Sequence, residues 1–516
     1  MRARLWKRAA ILPAAALSVV TVVPHASADA PFFTSTPAML TLDGTAPSGT
    51  SLLPIISVGD QVGAFTFEGI PDGIGAMPGA GGSAEVFVNH EQSRVPFGGL
   101  ADFDWSSVSH LTLAPSGGVV AGSEPLPDSA GFQRFCSSTM AGPDQGLSSF
   151  LYLTGEEAPE RVAVPAGAPY GPDPAYAPNN DRQSGYSVVL DPVTSDFTQV
   201  AGLGRYNHEN EMVLPGGWDQ IAILSGDDTF TPPAPASQLY LYLADDEDAI
   251  WADQGSLWAF QATARNGVKV NAANPLNDAN DYSDISSGDH FQGRFIRVPA
   301  KIAKGLTSAE PQTALENWSN QNNVFQFIRI EDIAYDVNNP RVIYFADTAT
   351  TRIVPDPATG RLTRGASGTT GLYDNGRVFR MELSQSDPKV VDSFSILLNG
   401  DTGGPGLPGA GGIHQPDNVA TSPNSLMVQE DTAVVAPRVW RYDFATQTWS
   451  VLATVNDIAW ESSGIVDASE FFGPGSWLLD VQAHNVFVGP TDTTTTPGVT
   501  YKREGGQLLL LHVPGS

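Results

Sequence analysis

The segment "IEDIAYDVNNPRVIYFADTATTRI" at residues 330–353 predicts two strands joined by an Asn-Asn-Pro turn. Both strands are mostly apolar. Acids stand where the first strand begins (Glu331, Asp332) and where the second strand ends (Asp347). Those two points lie at the same end of an antiparallel hairpin. The sequence therefore predicts a hairpin that carries three carboxylates at one end.

The same pattern recurs along the chain. Apolar segments that end on an acid or an amide are "EVFVNHEQ" (85–92), "FLYLTGEEA" (150–158), "IAILSGDDT" (221–229), "VIYFADTAT" (342–350), "LMVQEDTAV" (426–434) and "WLLDVQAHN" (477–485). A segment with a polar start precedes each of them, as in "PDGIGA" (71–76) and "HENEMVL" (208–214). Six such units predict an all-β fold, a six-bladed β-propeller in which each sheet is buried against its neighbours.

We expect residues 29–516 to form one propeller domain with long loop insertions, of which residues 262–325 are the largest. Within that insertion, residues 308–321 predict a short helix capped by Ser308. The last segment, "GQLLLLHVP" (506–514), would complete the final blade near the N-terminal "AMLTLDG" (38–44) and so close the ring. Two unrelated β domains with similar patterning remain the alternative interpretation.

The N-terminus has the layout of a secretory signal. Basic residues are followed by an apolar run and by Ala-Ser-Ala at 26–28, which predicts cleavage after Ala28 and a secreted protein. The apolar run is too short for a stable membrane span.

The composition restricts the partners. Residues 1–28 contain four of the 27 basic residues and none of the 56 acidic ones, so the remaining 488 residues carry a net charge of −33. This charge argues against nucleic acid and anionic membranes as partners, and it favours a soluble monomer that binds cations. Cys136 is the one cysteine, so no disulfide within the chain is possible and the hydrophobic core must hold the fold.

In a propeller the acidic strand ends meet at one mouth of the central channel. Clustered carboxylates repel one another, and bound cations relieve that repulsion, with Ca²⁺ or Mg²⁺ selected by hard oxygen ligands. The predicted metal ligands are Glu91, Cys136, Glu156, Glu157, Glu209, Asp227, Asp228, Glu331, Asp347, Asp417, Glu430 and His484. The thiolate and imidazole would also admit iron or zinc. The alternatives are that these acids form turns, that Cys136 is a buried core thiol and that the histidines bond to backbone carbonyls.

Several motifs carry a resemblance to a known family. They include "VNHE" (88–91), "FCSS" (135–138), "HENEMV" (208–213), "EDIAYDVNNP" (331–340) and "QPDNVA" (415–420). In order and setting the chain resembles the PhoX-type alkaline phosphatases and their phytase-like propeller relatives. The resemblance implies a six-bladed propeller that hydrolyses phosphomonoesters with an iron and calcium cluster at the channel mouth. It also implies a Cys ligand, matched here by Cys136.

The resulting expectation is an exported, metal-dependent phosphoester hydrolase that acts on a small phosphorylated molecule, with Ca²⁺ and possibly Fe³⁺ as cofactors. By their positions near blade mouths, Arg94 or Arg352 would bind the phosphate with two parallel hydrogen bonds. The alternative is a non-catalytic propeller in which calcium stiffens the channel and the mouth binds a glycan or a protein.

Overall fold

The computed structural model describes residues 30–93, 105–166, 168, 170–173, 177–229, 237–270, 280–308, 310–358, 360–403, 412–492 and 501–516. The predicted signal peptide lies outside these residues. Residues Pro31–Ser516 form one compact unit. None of the helices in the described ranges is long and apolar enough to cross a bilayer.

The described chain consists mainly of strands. In its first half they are β1 (Leu40–Leu42), β2 (Ser51–Ser57), β3 (Gln61–Val62), β4 (Phe65–Thr66), β5 (Pro71–Pro78), β6 (Ala84–His90), β7 (Ser107–Leu113), β8 (Val119–Leu126), β9 (Phe135–Ala141), β10 (Leu151–Glu156), β11 (Arg161–Ala163), β12 (Asp181–Gln183), β13 (Ser187–Leu190), β14 (Phe197–Gln199), β15 (His208–Leu214), β16 (Ile221–Asp227), β17 (Leu239–Ala244) and β18 (Ser256–Arg265).

The second half continues in the same way. Its strands are β19 (Val268–Lys269), β20 (Phe291–Arg297), β21 (Ile330–Asp336), β22 (Asn339–Asp347), β23 (Ile353–Pro355), β24 (Leu362–Arg364), β25 (Arg377–Leu383), β26 (Val390–Asn399), β27 (Pro416–Thr421), β28 (Ser425–Glu430), β29 (Arg438–Asp443), β30 (Thr448–Val455), β31 (Glu461–Asp467), β32 (Ser476–Asp492) and β33 (Tyr501–His512). The α-helices are α1 (Glu247–Trp251), α2 (Ala300–Ala303), α3 (Pro311–Gln321) and α4 (Ser469–Phe472).

The sheets have a propeller-like arrangement. Four of them are separate blades, with the strand orders β5-β6-β7-β8, β14-β13-β10-β9, β1-β30-β29-β28-β27 and β2-β33-β32-β31. The groups that begin with β15 and β21 share one ten-stranded sheet. The prediction of six separate sheets is therefore wrong. The reason is β20, which pairs with β18 of one group and with β26 of the other and so joins their outer edges.

Together with the four blades, these two groups make six groups of strands. One strand of each group, here called its first strand, lines the centre of the fold. β5, β9, β15, β21, β27 and β31 contact one another in that order, and β31 contacts β5, so that the ring is closed. Hydrophobic clusters fill the space between consecutive groups. Neighbouring residues of a second strand point to opposite clusters: Tyr344 packs toward Val428, whereas Phe345 packs toward Leu224. Burial on both faces explains why segments such as "VIYF" are continuously apolar.

The ring closes with a different strand from the one predicted. β33 pairs with β2, from Ser51↔His512 to Ser57↔Gln507, and Ile55 and Ile56 of β2 are fully buried there. The predicted strand "AMLTLDG" contains β1, which pairs instead with β30 on the outer edge of the preceding sheet.

Two local boundaries also differ from the prediction. The hairpin β21–β22 turns at Val337 and Asn338, because the Asn338 N–H donates to Asp336 Oδ1 at 2.8 Å and fixes a two-residue connection. Helix α3 begins at Pro311, a residue suited to the first helical position, and Ser308 Oγ accepts from the Glu310 N–H before the helix starts. The segment 262–325 is only partly an insertion, since β20 belongs to the main sheet.

Candidate metal centre

The first strands of all six groups begin at one end of the ring, and side chains near those starts enclose a cavity of about 310 Å³, here called the mouth cavity. Its described lining consists of Glu91, Cys136, Glu157, Glu209, Arg329, Glu331, Asp417, Asp431, Thr432, Ala433, Ile458, Ala459, Trp460, Glu461, Gln482 and His484. The predicted residues brought together here are Glu91, Cys136, Glu157, Glu209, Glu331, Asp417 and His484. One wall, residues 458–460, is apolar.

Three groups of side chains at this end place possible ligand atoms within 4.8 Å of one another. They are Cys136, Glu157 and Glu209; Glu209, Asp228 and Glu331; and Asp417, Asp431 and Glu461. The first two groups share Glu209. The members of all three ligand groups together come from five different strand groups, so the closed ring is what assembles them.

The carboxyl groups of the cavity lack sufficient positive charge around them. Burial, followed by the charges of Asp72 and Glu461, raises the pKa of Glu91 to about 8. Burial and neighbouring acids raise the pKa of Glu157, Glu209 and Asp417 well above the ordinary range. A cluster of buried carboxyl groups with raised pKa values is expected at a site where the protein binds cations.

Glu209 illustrates the fit to a cation most directly. Its side chain is 1% exposed, and its Oε2 atom accepts no hydrogen bond from any described residue. A buried carboxylate oxygen without a donor is costly, and a coordinated cation removes that cost. The donor set of the cavity, mostly carboxylate oxygens and one sulfur, suits Ca²⁺, with a softer metal favoured beside the thiol.

Cys136 lies at the start of β9. Its thiol donates to Asp72 Oδ2 over 3.1 Å, and Asp72 also accepts from Ser463 Oγ and Gln482 Nε2 at 2.7 and 2.9 Å. Burial, together with the charges of Asp72 and Glu209, raises the pKa of the thiol well above its usual value. The thiol therefore keeps its proton unless a metal displaces it.

Arg329 brings a guanidinium group to the cavity. Its Nε and Nη2 atoms donate to the two carboxylate oxygens of Asp228 at 2.7 and 2.6 Å, and Nη2 lies 3.3 Å from Glu331 Oε1. The backbone around it is fixed by Asp347, which accepts from the N–H groups of Ile328 and Arg329 at 2.9 and 3.1 Å. Arg329 is thus held rigidly beside two candidate ligands.

His484 bridges two acids at the edge of the cavity. Its Nδ1 atom lies 3.0 Å from Glu504 Oε2, and its Nε2 atom lies 3.7 Å from Glu461 Oε2. Burial disfavours the imidazolium form, but the two acids outweigh it and raise the pKa of His484 well above its usual value. This arrangement orients Glu461 towards Asp417 and Asp431.

Four predicted ligands do not reach the mouth cavity, because their oxygens accept structural hydrogen bonds. Glu156 pairs with the buried Arg182 at 2.7 Å and accepts from the Gln133 N–H at 2.8 Å. Asp347 accepts from three backbone N–H groups. The remaining two are Glu430, which accepts from the His414 N–H and from Arg438, and Asp227, which accepts from Thr229 Oγ1.

The alternation of side chains along a strand explains this division. Glu156 and Glu157 are neighbours at the end of β10, so they point in opposite directions, and Glu157 faces the cavity. Asp227 and Asp228 divide in a similar way, since Asp227 accepts from Thr229 Oγ1 whereas Asp228 belongs to a candidate ligand group with Glu209 and Glu331. The same division is seen at the end of β28, where Asp431 rather than Glu430 lines the cavity.

The predicted phosphate-binding arginines are not in the cavity. Arg94 lies outside the described residues. Arg352 is half-buried at the base of the β23–β24 hairpin and is not among the described lining residues. The described lining contains Arg329 instead, which sequence reasoning missed because nothing distinguished it from a surface arginine. Asp431 and Glu461 are also absent from the predicted ligands, although Asp431 directly follows the predicted ligand Glu430.

Comparison with known proteins identifies a family and similar solved structures. The family model for alkaline phosphatase PhoX matches residues 151–454. The structure of Pseudomonas fluorescens PhoX in complex with vanadate, a transition-state analogue, is similar with a TM-score of 0.60 and 16% identity, over 94% of this chain and 98% of that chain. A protein of unknown function from Dyadobacter fermentans gives a TM-score of 0.41 and 9% identity, over 89% and 98% of the two chains.

No curated protein sequence matches the chain. The family model covers more than half of its length, and the similar solved structure shows the same fold. The matched span includes Glu157, Glu209, Asp228, Glu331 and Asp417, residues of the candidate metal centre. The chain therefore belongs to the PhoX alkaline phosphatase family and is a phosphatase.

Proposed function

We propose that this phosphatase is an exported, metal-dependent enzyme that hydrolyses small phosphoesters in the mouth cavity. The observation that carries the proposal is the convergence of buried, uncompensated carboxylates from five strand groups beside one rigid arginine. We also infer that the ten-stranded sheet represents two fused blades, which gives the six blades expected of the closed ring.

The proposed metal ligands are the three groups of side chains described above, two of which contain Glu209. Cys136, Glu157 and Glu209 provide one sulfur and carboxylate oxygens, and this is where Fe³⁺ would bind if it is present. The other two groups provide oxygens alone and are assigned to Ca²⁺. Such cations supply Lewis acidity, which polarises a phosphoryl oxygen and lowers the pKa of a coordinated water.

The chain's own residues orient the substrate. Arg329 is placed to donate to the phosphoryl group, because its position is fixed by Asp228 and by the backbone bonds to Asp347. A preorganised guanidinium stabilises the charge that spreads over the phosphoryl oxygens in the transition state.

The size of the cavity and the charge of the chain support the remaining proposals. A volume of about 310 Å³ accommodates a phosphate with a small ester group and is at the low end for small-molecule sites. The strongly negative charge favours a soluble monomer and disfavours nucleic acid and anionic membranes. Residues 1–28 support export by the general secretion route.

The test is hydrolysis of p-nitrophenyl phosphate before and after treatment with excess chelator. We expect activity to be lost on chelation and restored by Ca²⁺, alone or together with Fe³⁺, because the carboxylates then regain their counter-charge. Full activity in the chelated protein would contradict the metal dependence. A calcium-dependent rise in Tm without any hydrolysis would identify the non-catalytic calcium-stabilised propeller.

A further inference from the structure

Four apolar residues line one side of the mouth cavity, whose other lining side chains are charged or polar. These four residues, here called the apolar wall, are Ala433, Ile458, Ala459 and Trp460. The wall is continuous along the chain with one of the candidate ligand groups, because Ala433 follows Asp431 by two residues and Trp460 directly precedes Glu461. An apolar surface and a cation site thus share one cavity.

Hydrogen bonds fix the loop that carries three of the four residues. Asp457 Oδ1 accepts from the Ala459 N–H at 2.9 Å, and the Asp457 carbonyl accepts from the Trp460 N–H at 3.2 Å. The start of the loop is anchored by Asn456, whose Nδ2 atom donates to the Ala38 carbonyl at 2.8 Å. A ligand that binds to the wall therefore needs to order little of the chain, which favours affinity.

The wall leaves apolar surface uncovered. Ile458 is 49% exposed. Trp460 is half-buried, and it packs against the hydrophobic cluster that contains Leu479 and Leu509 while also lining the cavity. Single exposed apolar residues are common, but four of them around one cavity form a surface that a ligand can cover. Apolar and aromatic surface beside a few polar groups is typical of small-molecule sites.

We propose that the apolar wall binds the organic part of the substrate, with Trp460 as its main contact, so that the preferred substrates are phosphomonoesters with an aromatic ester group. This inference rests on the proposed function, in which the phosphate binds beside the cations and Arg329. The cavity has a volume of only about 310 Å³, so an ester held there by its phosphate places its organic group near the wall. The indole of Trp460 suits a planar ring, since aromatic rings stack or pack edge to face.

The experiment compares 2-phenylethyl phosphate with ethyl phosphate by initial rates of phosphate release. The two alcohols have similar acidity, so the bond cleavage itself differs little between the esters. We expect kcat/KM of the wild-type protein to favour 2-phenylethyl phosphate by about tenfold or more. The preference should appear mainly in KM, because the contact with the wall is made in the ground state and in the transition state alike.

Substitutions in the wall should reduce this preference. In Trp460→Ala it should fall to about twofold or less, whereas Trp460→Phe keeps an aromatic ring and should retain most of it. Ile458→Ser should also lower the preference, and its half-exposed position makes it compatible with folding. The matched control is Leu306→Ser: Leu306 is 57% exposed and is not among the described lining residues, so this variant should keep the preference.

The two hypotheses fail in different ways. Equal kcat/KM for the two esters in the wild-type protein, or a preference that both Trp460→Ala and Ile458→Ser retain, would overturn the role of the wall while leaving the phosphatase intact. If Trp460→Ala does not fold, Ile458→Ser alone decides.

If the wild-type protein hydrolyses neither ester nor p-nitrophenyl phosphate, the proposed function fails. Both esters are then stable in its presence, and calorimetric titration decides the role of the wall. Tighter binding of 2-phenylethyl phosphate that the wall variants lose supports it, and equal binding of the two esters overturns it.

Discussion

Arg329→Gln is expected to lower kcat/KM for p-nitrophenyl phosphate by roughly 10²- to 10³-fold, the usual effect of removing one preorganised donor to a transition state. Glutamine carries no positive charge to stabilise the phosphoryl oxygens in the transition state, and the loss should appear mainly in kcat. Steady-state kinetics with metal-saturated protein measures it. Arg329→Lys should recover part of the loss, since it restores the charge but not the planar geometry.

The matched control is Arg265→Gln. Arg265 also pairs with an aspartate, Asp289, at 2.7 Å, but its side chain is 44% exposed and lies on the outer strand β18. Its removal should leave kcat/KM unchanged, because exposed pairs contribute little. An Arg329→Gln variant that retains wild-type kcat would show that Arg329 only neutralises Asp228.

Glu209→Gln and Glu156→Gln should separate metal binding from stability. Glu209 belongs to two of the candidate ligand groups and has an oxygen without a donor, so we expect its amide variant to lose bound metal and activity. The loss should exceed the roughly 10- to 100-fold decrease seen when a residue supporting a metal ligand is changed. The free energy of unfolding of the metal-free variant should not fall, since the substitution removes a repelling buried acid.

Glu156→Gln should behave in the opposite way. It leaves Arg182 buried without its counter-charge, which costs about 3–5 kcal/mol of unfolding free energy. Metal content should be retained in the molecules that remain folded. Elemental analysis and urea unfolding of both variants measure the two quantities. The same pattern in both variants would mean that the structural and ligand acids are not distinct.

The strand pattern predicted the inner strands well because those strands, such as β10 and β16, are buried on both faces. The first strands of all six units and the apolar second strands lie where the sequence places them. The pairing that joins the β15 and β21 groups into one ten-stranded sheet was not predictable, because it depends on β20 pairing with two edge strands far apart in sequence. The choice of β2 as the closing strand likewise depends on long-range pairing.

The candidate site could be predicted only as a set of strand ends. Glu156 and Glu157 are the same type of residue, so the sequence does not distinguish them. Only the orientation of the strand decides which of the two faces the channel. Glu331 reaches the cavity, whereas Asp347 of the same hairpin bonds to the backbone that positions Arg329. Arg329 itself carries no local signal, since its role depends on Asp228 of another sheet.

The metal content of the purified wild-type protein tests the central claim most directly. Elemental analysis after gel filtration in calcium-containing buffer should find about two to three tightly held cations per chain, calcium among them, in keeping with the three acidic groups at the mouth. A protein that carries no metal and still hydrolyses p-nitrophenyl phosphate at its full rate would contradict the account.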